Sequence, residues 1–203
     1  MVGKALFSSA RQDWGTPQYL FDFLNKRYKF ELDPCANKDN HKCDLYFTEK
    51  ENGIKREWTI VESAFMNPPY GNSEQPCKKN CEKKKCQIRG HHITKYIPGV
   101  SDWVGKAYGE ATLGMLVVCL IAARTDTKWW HKYCMNATGI WFIEGRLHFT
   151  NKTISDYTGK TKTSPATFPS SVVIFDGRGG DLPAKPQFRS LHIDNKTKEV
   201  KLI

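Results

Sequence analysis

No stretch of this 203-residue chain is both apolar and long enough to cross a bilayer, which takes about 20 residues of helix. The opening MVGKALFSSARQDW has neither an apolar core of signal-peptide length nor a cleavage-like site. Both shortages lead to one expectation, a cytoplasmic protein with no membrane partner. Acidic side chains are also in short supply: 21 Asp and Glu face 31 Lys and Arg, a net charge of +10. Such a surface favours a polyanionic partner, and nucleic acid is the commonest one. No internal repeat is visible. Seven cysteines, an odd number, exclude a pure disulfide framework. In a reducing compartment, clustered cysteines point to metal instead.

What is present suffices for one sizeable core, with 39% hydrophobic and 12% aromatic residues. We expect residues 1–203 to form a single domain, with an insertion at 72–100 and a C-terminal extension at 178–203 that reads as a hairpin. Residues 17–27 read as a helix with Thr16 as N-cap and Leu20, Phe21 and Leu24 as its apolar stripe. Strands are expected at 28–33, 60–66, 113–121 and 171–176, with two short ones around Glu144-Gly145. Helices are expected at 101–111, capped by Ser101, and from Thr125-Asp126 to about Met135. Alternating strands and helices followed by late antiparallel strands give an α/β fold. In such open sheets ligands sit beyond the carboxyl ends of the strands. Asp33-Pro34, Asn67-Pro68-Pro69-Tyr70 and Arg124-Thr125-Asp126 all fall at expected strand ends.

Asn67-Pro68-Pro69-Tyr70 carries the most information. Two prolines remove two backbone donors and stop a ladder, and the residue before a proline is held extended. Asn67 is thereby fixed at a strand tip with its amide and nearby carbonyls turned away from the sheet. An exocyclic amine stacked on Tyr70 would find two acceptors there. The element resembles the catalytic motif of amino-methyltransferases that use S-adenosylmethionine. In order along the chain, Trp14-Gly15-Thr16-Pro17, Leu32-Asp33-Pro34-Cys35-Ala36, Phe65-Met66-Asn67-Pro68-Pro69-Tyr70, Ala123-Arg124-Thr125-Asp126, Glu144-Gly145-Arg146-Leu147-His148-Phe149 and Phe168-Pro169 resemble the phage-type DNA N-6-adenine methyltransferases over residues 12–177.

That resemblance implies a Rossmann-like methyltransferase sheet and transfer of a methyl group from S-adenosylmethionine to adenine N6 in double-stranded DNA. It implies Asn67, Pro68, Pro69 and Tyr70 as the catalytic set. Trp14, Gly15, Thr16, Asp33, Pro34, Cys35, Ala36 and Asn67 would form the cofactor wall. Asn67 Oδ1 and the Pro68 carbonyl would accept the two N6 hydrogens of a base rotated out of the duplex, and Tyr70 would stack on it. One departure stands out: no Gly-x-Gly follows Asp33. Asp44 and Glu49 are the remaining acidic candidates for the ribose.

Segment 72–100 changes character, with seven Lys or Arg against two Glu. Within it Cys77, Cys81, Cys86 and His92, with His91 as substitute, match the donor set of a closed tetrahedral zinc site. A short charged segment needs such a staple to order itself. Held in place, Lys78, Lys79, Lys83, Lys84, Lys85 and Arg89 would meet DNA phosphates, joined by Arg124, Trp129 and Arg146 from the later motifs. Cytosine-C5 methylation is the rival chemistry, since Pro34-Cys35 and Pro76-Cys77 offer its nucleophilic dipeptide. An RNA or protein substrate is the rival partner. A non-catalytic, zinc-containing DNA-binding module is the rival class.

Overall fold

The computed structural model describes residues 14–78, 80–155 and 161–203, with the backbone alone for 151–155, 161 and 162. Helix α1 (Gln18–Tyr28) buries Leu20, Phe21 and Leu24. Thr16 is not its cap: Pro17 occupies that position with no side-chain bond, and the Thr16 hydroxyl is used elsewhere. The helix runs through Tyr28 and ends on Lys29 at φ 54, while Asn25 Oδ1 accepts the Phe30 N–H at 2.8 Å. Those two caps consume most of the strand expected at 28–33, leaving β1 as Leu32–Asp33.

The next elements are β2 (Leu45–Tyr46) and β3 (Ser63–Met66), then a short helix α2 (Lys84–Arg89) and α3 (Val100–Thr112). Asp102, not Ser101, starts α3, by accepting the Gly99 N–H at 2.8 Å. Strand β4 (Leu116–Ala122) follows. It begins later than expected because Leu113 is exposed and Gly114, at φ 96, turns the chain. Helix α4 (Lys128–Lys132) is a single turn plus, prolonged only by a 3-10 turn at Cys134–Asn136. Thr127 stays extended before it, its hydroxyl donating to the Arg124 carbonyl at 2.8 Å. The chain finishes with β5 (Gly139–Ile143), β6 (His148–Ser155), β7 (Thr161–Pro165), β8 (Ser170–Asp176), β9 (Gln187–Ile193) and β10 (Val200–Leu202).

Eight strands form one sheet in the order β10-β9-β5-β8-β4-β3-β1-β2, and β6-β7 form a separate hairpin. β1 to β4 are parallel, β8 runs antiparallel between β4 and β5, and β9 is parallel to β5. Six of the eight strands therefore point the same way, with β8 and the edge strand β10 reversed. β3 and β4 are buried at every position, as continuous apolar strands covered on both faces should be. Phe21 of α1 packs on Phe65 at 5.3 Å. On the opposite face Tyr108 of α3 meets Phe175 at 6.0 Å. Because β1, β3 and β4 are parallel, Asp33, Asn67 and Arg124 leave the sheet on one rim, as expected. The expected late hairpin is β9-β10. Among the described residues no helix is long and apolar enough to cross a membrane.

Candidate active site

Asn67 emerges from β3 with its carboxamide held from three sides. Its Nδ2 donates to the Trp14 carbonyl at 2.6 Å and to Thr16 Oγ1 at 3.0 Å. The Tyr70 hydroxyl donates to Asn67 Oδ1 at 2.7 Å. Turning the amide over would set oxygen against the Trp14 carbonyl, so these partners fix which end is which. Burial pushes the Tyr70 phenol well above its ordinary range, so it remains a donor. An amide oxygen has two lone pairs, and the second on Oδ1 is available to a further donor. Among the described residues no donor is paired with the Pro68 carbonyl. The tip thus offers two rigid acceptors.

Trp14 and Gly15 reach this place through a contact that spans the chain. Gly15 N–H donates to the Thr150 carbonyl at 3.0 Å, and Thr150 N–H returns a bond to Gly15 at 2.9 Å. A Cβ on Gly15 would lie 2.5 Å from Thr150 Oγ1 and 3.0 Å from its carbonyl oxygen, so glycine is required by close approach. Asp33, at the tip of β1, is 5% exposed. Burial pushes its carboxyl up to about 7, against the backbone N–H groups of Lys42 and Cys35 and the charges of Lys42 and His41. Pro34 is buried and Cys35 half-buried. Burial and the neighbouring Asp33 raise the Cys35 thiol, whose sulfur accepts the Asn67 N–H. Ala36 N–H donates to the Phe47 carbonyl at 3.0 Å. Asn67, Tyr70, Trp14, Gly15, Thr16 and Cys35 are linked directly, and Asp33 through Cys35. Asp44 and Glu49 are exposed beyond β1.

The Tyr70 ring is only 7% exposed. It is enclosed by Phe168 at 5.1 Å and Phe149 at 6.2 Å, both edge-on. Trp14 meets the same two rings at 5.5 and 5.3 Å. Sequence reasoning had no role for Phe149 and Phe168, although both lie within motifs it singled out. Their signal is positional: Phe149 is next to Thr150, and Phe168 stands two residues before β8, whose first residue pairs with the last of β4.

In the 71–100 segment, Cys77, Cys81, Cys86 and His92 bring their donor atoms within 4.8 Å of one another. Cys77 Sγ lies 3.4 Å and Cys81 Sγ 3.7 Å from Cys86 Sγ. Those separations are far too long for disulfides. They approach the roughly 3.8 Å that Zn–S bonds of about 2.3 Å impose between tetrahedral ligands. The segment is closed by paired Glu74 and Ile97 and rooted by the Val100 N–H to the Gly71 carbonyl at 2.9 Å.

The expected phosphate contacts divide. Lys85 and Arg89 are both paired with Glu74, Arg89 at 3.0 and 3.1 Å, so their charges hold the segment together. Lys78, Lys83 and Lys84 are exposed, and Lys79 lies outside the described residues. Arg124 and Arg146 are exposed. Of the adjacent tryptophans, Trp130 is 2% exposed. Trp129 lines a cavity of about 480 Å³ with Lys128, Lys132 and Tyr133.

The family described as DNA N-6-adenine-methyltransferase (Dam) matches residues 4–185. The chain is 32% identical over 76 residues to the DNA N-6-adenine-methyltransferase of Escherichia phage T1, a match covering 37% of this chain and 32% of that protein. It is 35% identical over 63 residues to the putative methyltransferase YfdM of Escherichia coli (strain K12), covering 28% of this chain and 69% of that one. Among solved structures, the methyltransferase subunit of a type I restriction-modification system from Streptococcus thermophilus is similar over 89% of this chain and 47% of that one, with 9% identity and a TM-score of 0.42.

Proposed function

The chain belongs to the DNA N-6-adenine-methyltransferase (Dam) family, and from that premise we propose that it methylates N6 of an adenine rotated out of double-stranded DNA, on a Rossmann-like sheet and in a cell's cytoplasm. The observation that carries this reading is the Asn67 carboxamide, aimed by Trp14, Thr16 and Tyr70 so that one lone pair of Oδ1 remains for substrate.

Asn67 Oδ1 and the Pro68 carbonyl accept the two hydrogens of N6. This draws the amine toward pyramidal geometry and exposes its lone pair. Pro69 keeps the turn rigid by its fixed φ. S-adenosylmethionine, when bound, supplies a methyl group activated by its sulfonium. Displacement is direct, with no covalent enzyme intermediate, and the nitrogen then sheds one proton. Asp33 fits the cofactor's ammonium, because a buried carboxyl held near 7 gains most from an opposite charge. Trp14, Gly15, Thr16, Pro34, Cys35 and Ala36 form the rest of its wall. Since Tyr70 is enclosed, a base reaching its face displaces the rings of Phe149, on β6, and Phe168, in the turn before β8. Most of the acceleration then comes from positioning in a site closed to water.

Cys77, Cys81, Cys86 and His92 hold a structural zinc ion, supported by the donor set and the sulfur separations. Lys78, Lys83, Lys84, Arg124, Trp129 and Arg146 face the nucleic acid.

The deciding experiment incubates the protein with radiolabelled S-adenosylmethionine and either duplex DNA or RNA, then separates the nucleosides. N6-methyladenine is expected. 5-Methylcytosine, or label transferred to RNA alone, would overturn the reading. Asn67→Ala should lower kcat at least 100-fold, the scale of a lost positioned polar contact, with cofactor affinity changed far less.

A further inference from the structure

Helix α2 has a face that the segment does not use for itself. Cys86 turns inward among the donor atoms and Arg89 turns toward Glu74. Lys84, Gln87 and Ile88 stand at i, i+3 and i+4, which places them on one face. All three are exposed, Ile88 at 80%. A single exposed isoleucine needs no account. This one sits beside a primary amide, on a helix whose first turn brings Lys83 and Lys84, and Glu74 neutralises neither charge.

The placement matters as much as the composition. The segment leaves the rim one residue after Tyr70 and returns to the same spot, where Val100 bonds to Gly71. A Cβ on Gly99 would come within 2.2 Å of Ser73 N, so its two ends are pressed together. A helix of six residues does not hold by itself in water. It is held here by the Cys and His cluster and the Glu74 pairs, and it projects from the base of the catalytic tip.

Resting on the DNA reading above, we propose that α2 is the sequence-reading element of this protein. It enters the major groove beside the target adenine, with Gln87 on an adenine edge and Ile88 against a thymine methyl. The major groove admits a helix, glutamine pairs its amide with adenine N6 and N7, and apolar side chains meet the thymine methyl. Lys83 and Lys84, at the start of the helix, meet phosphates. The major groove of double-stranded RNA is too deep and narrow for the same contact.

The test is selection of bound duplexes from a random DNA pool by the full-length protein, with Gln87→Ala, Gln87→Arg, Ile88→Ala and Lys84→Ala in parallel. Metal content and melting temperature are measured for each. The wild type should enrich sequences sharing an A·T position. Gln87→Ala should lower discrimination there by about tenfold or more, and Gln87→Arg should move the preference toward guanine. Lys84→Ala should weaken all duplexes alike and reduce the salt slope by about one. An unchanged enriched sequence in the Gln87 and Ile88 variants would overturn the proposal. So would a wild type that enriches nothing, or that RNA displaces from duplex DNA. The selection does not depend on methyl transfer, so a protein that reads DNA through α2 and makes no N6-methyladenine would sink the functional reading alone.

Discussion

Asp33→Asn tests the electrostatics of the proposed cofactor wall. The wild-type carboxyl is buried, and burial lifts it to about 7, whereas in the unfolded chain it sits near 4. The folded state therefore holds its proton more tightly than the unfolded state. Below about pH 4 the group is neutral in both states and costs nothing. Between about pH 4 and 7 the unfolded chain ionises first, so stability falls as pH rises, and above about 7 the loss is complete. The gap from about 4 to about 7 corresponds to about 4 kcal/mol, at roughly 1.4 kcal/mol per pH unit. Asparagine cannot ionise. Urea unfolding of the cofactor-free protein from pH 4 to 8 should give a variant whose stability, relative to wild type, rises by about 4 kcal/mol across that range. Calorimetry should show that the same variant has lost cofactor affinity, while wild-type affinity climbs with pH up to about 7. A wild-type-to-variant difference that stays constant from pH 4 to 8 would refute the reasoning. So would a variant that binds S-adenosylmethionine normally.

Tyr70→Phe removes the hydroxyl that donates to Asn67 Oδ1. Stability should drop by about 1 kcal/mol, and kcat should fall with cofactor affinity retained, both read from melting and steady-state rates. Gly15→Ala puts a methyl 2.5 Å from Thr150 Oγ1. It should cost about 1–3 kcal/mol and lower turnover by moving the Trp14 carbonyl away from Asn67. Chelation, or Cys81→Ser, should abolish zinc binding at the proposed Cys and His site. Limited proteolysis should then cut within 72–100, while the melting of the sheet, which takes nothing from that segment, moves little.

Much of the rim was legible because its chemistry is local. Asn67-Pro68-Pro69 fixes its own geometry, and parallel β1, β3 and β4 put three short motifs on one edge. The Cys and His cluster was legible for the same reason, since its four donors fall within 16 residues. Capping was misread at Thr16 and Ser101 because distant or neighbouring groups competed for those positions. The Thr16 hydroxyl oxygen accepts from the amide of Asn67, 51 residues away, and Asp102 takes the Gly99 N–H instead. The pairing of Lys85 and Arg89 with Glu74 was invisible to charge counting, which sees excess but not partners. Tyr70 was expected to present an open face. It is covered by rings contributed from residues 149 and 168, and no local pattern around residue 70 could have announced them.

The Gly15–Thr150 contact joins groups 135 residues apart, and this sets when the enzyme matures. A nascent chain that has emerged as far as β4 already carries Asp33 and Asn67. Its Trp14 carbonyl, though, has not yet been tied down by the hairpin that follows β5. On the proposed mechanism, assembly of the chemical centre is therefore deferred until late in synthesis, and a prematurely terminated product should carry every signature motif of the first half without methyl transfer.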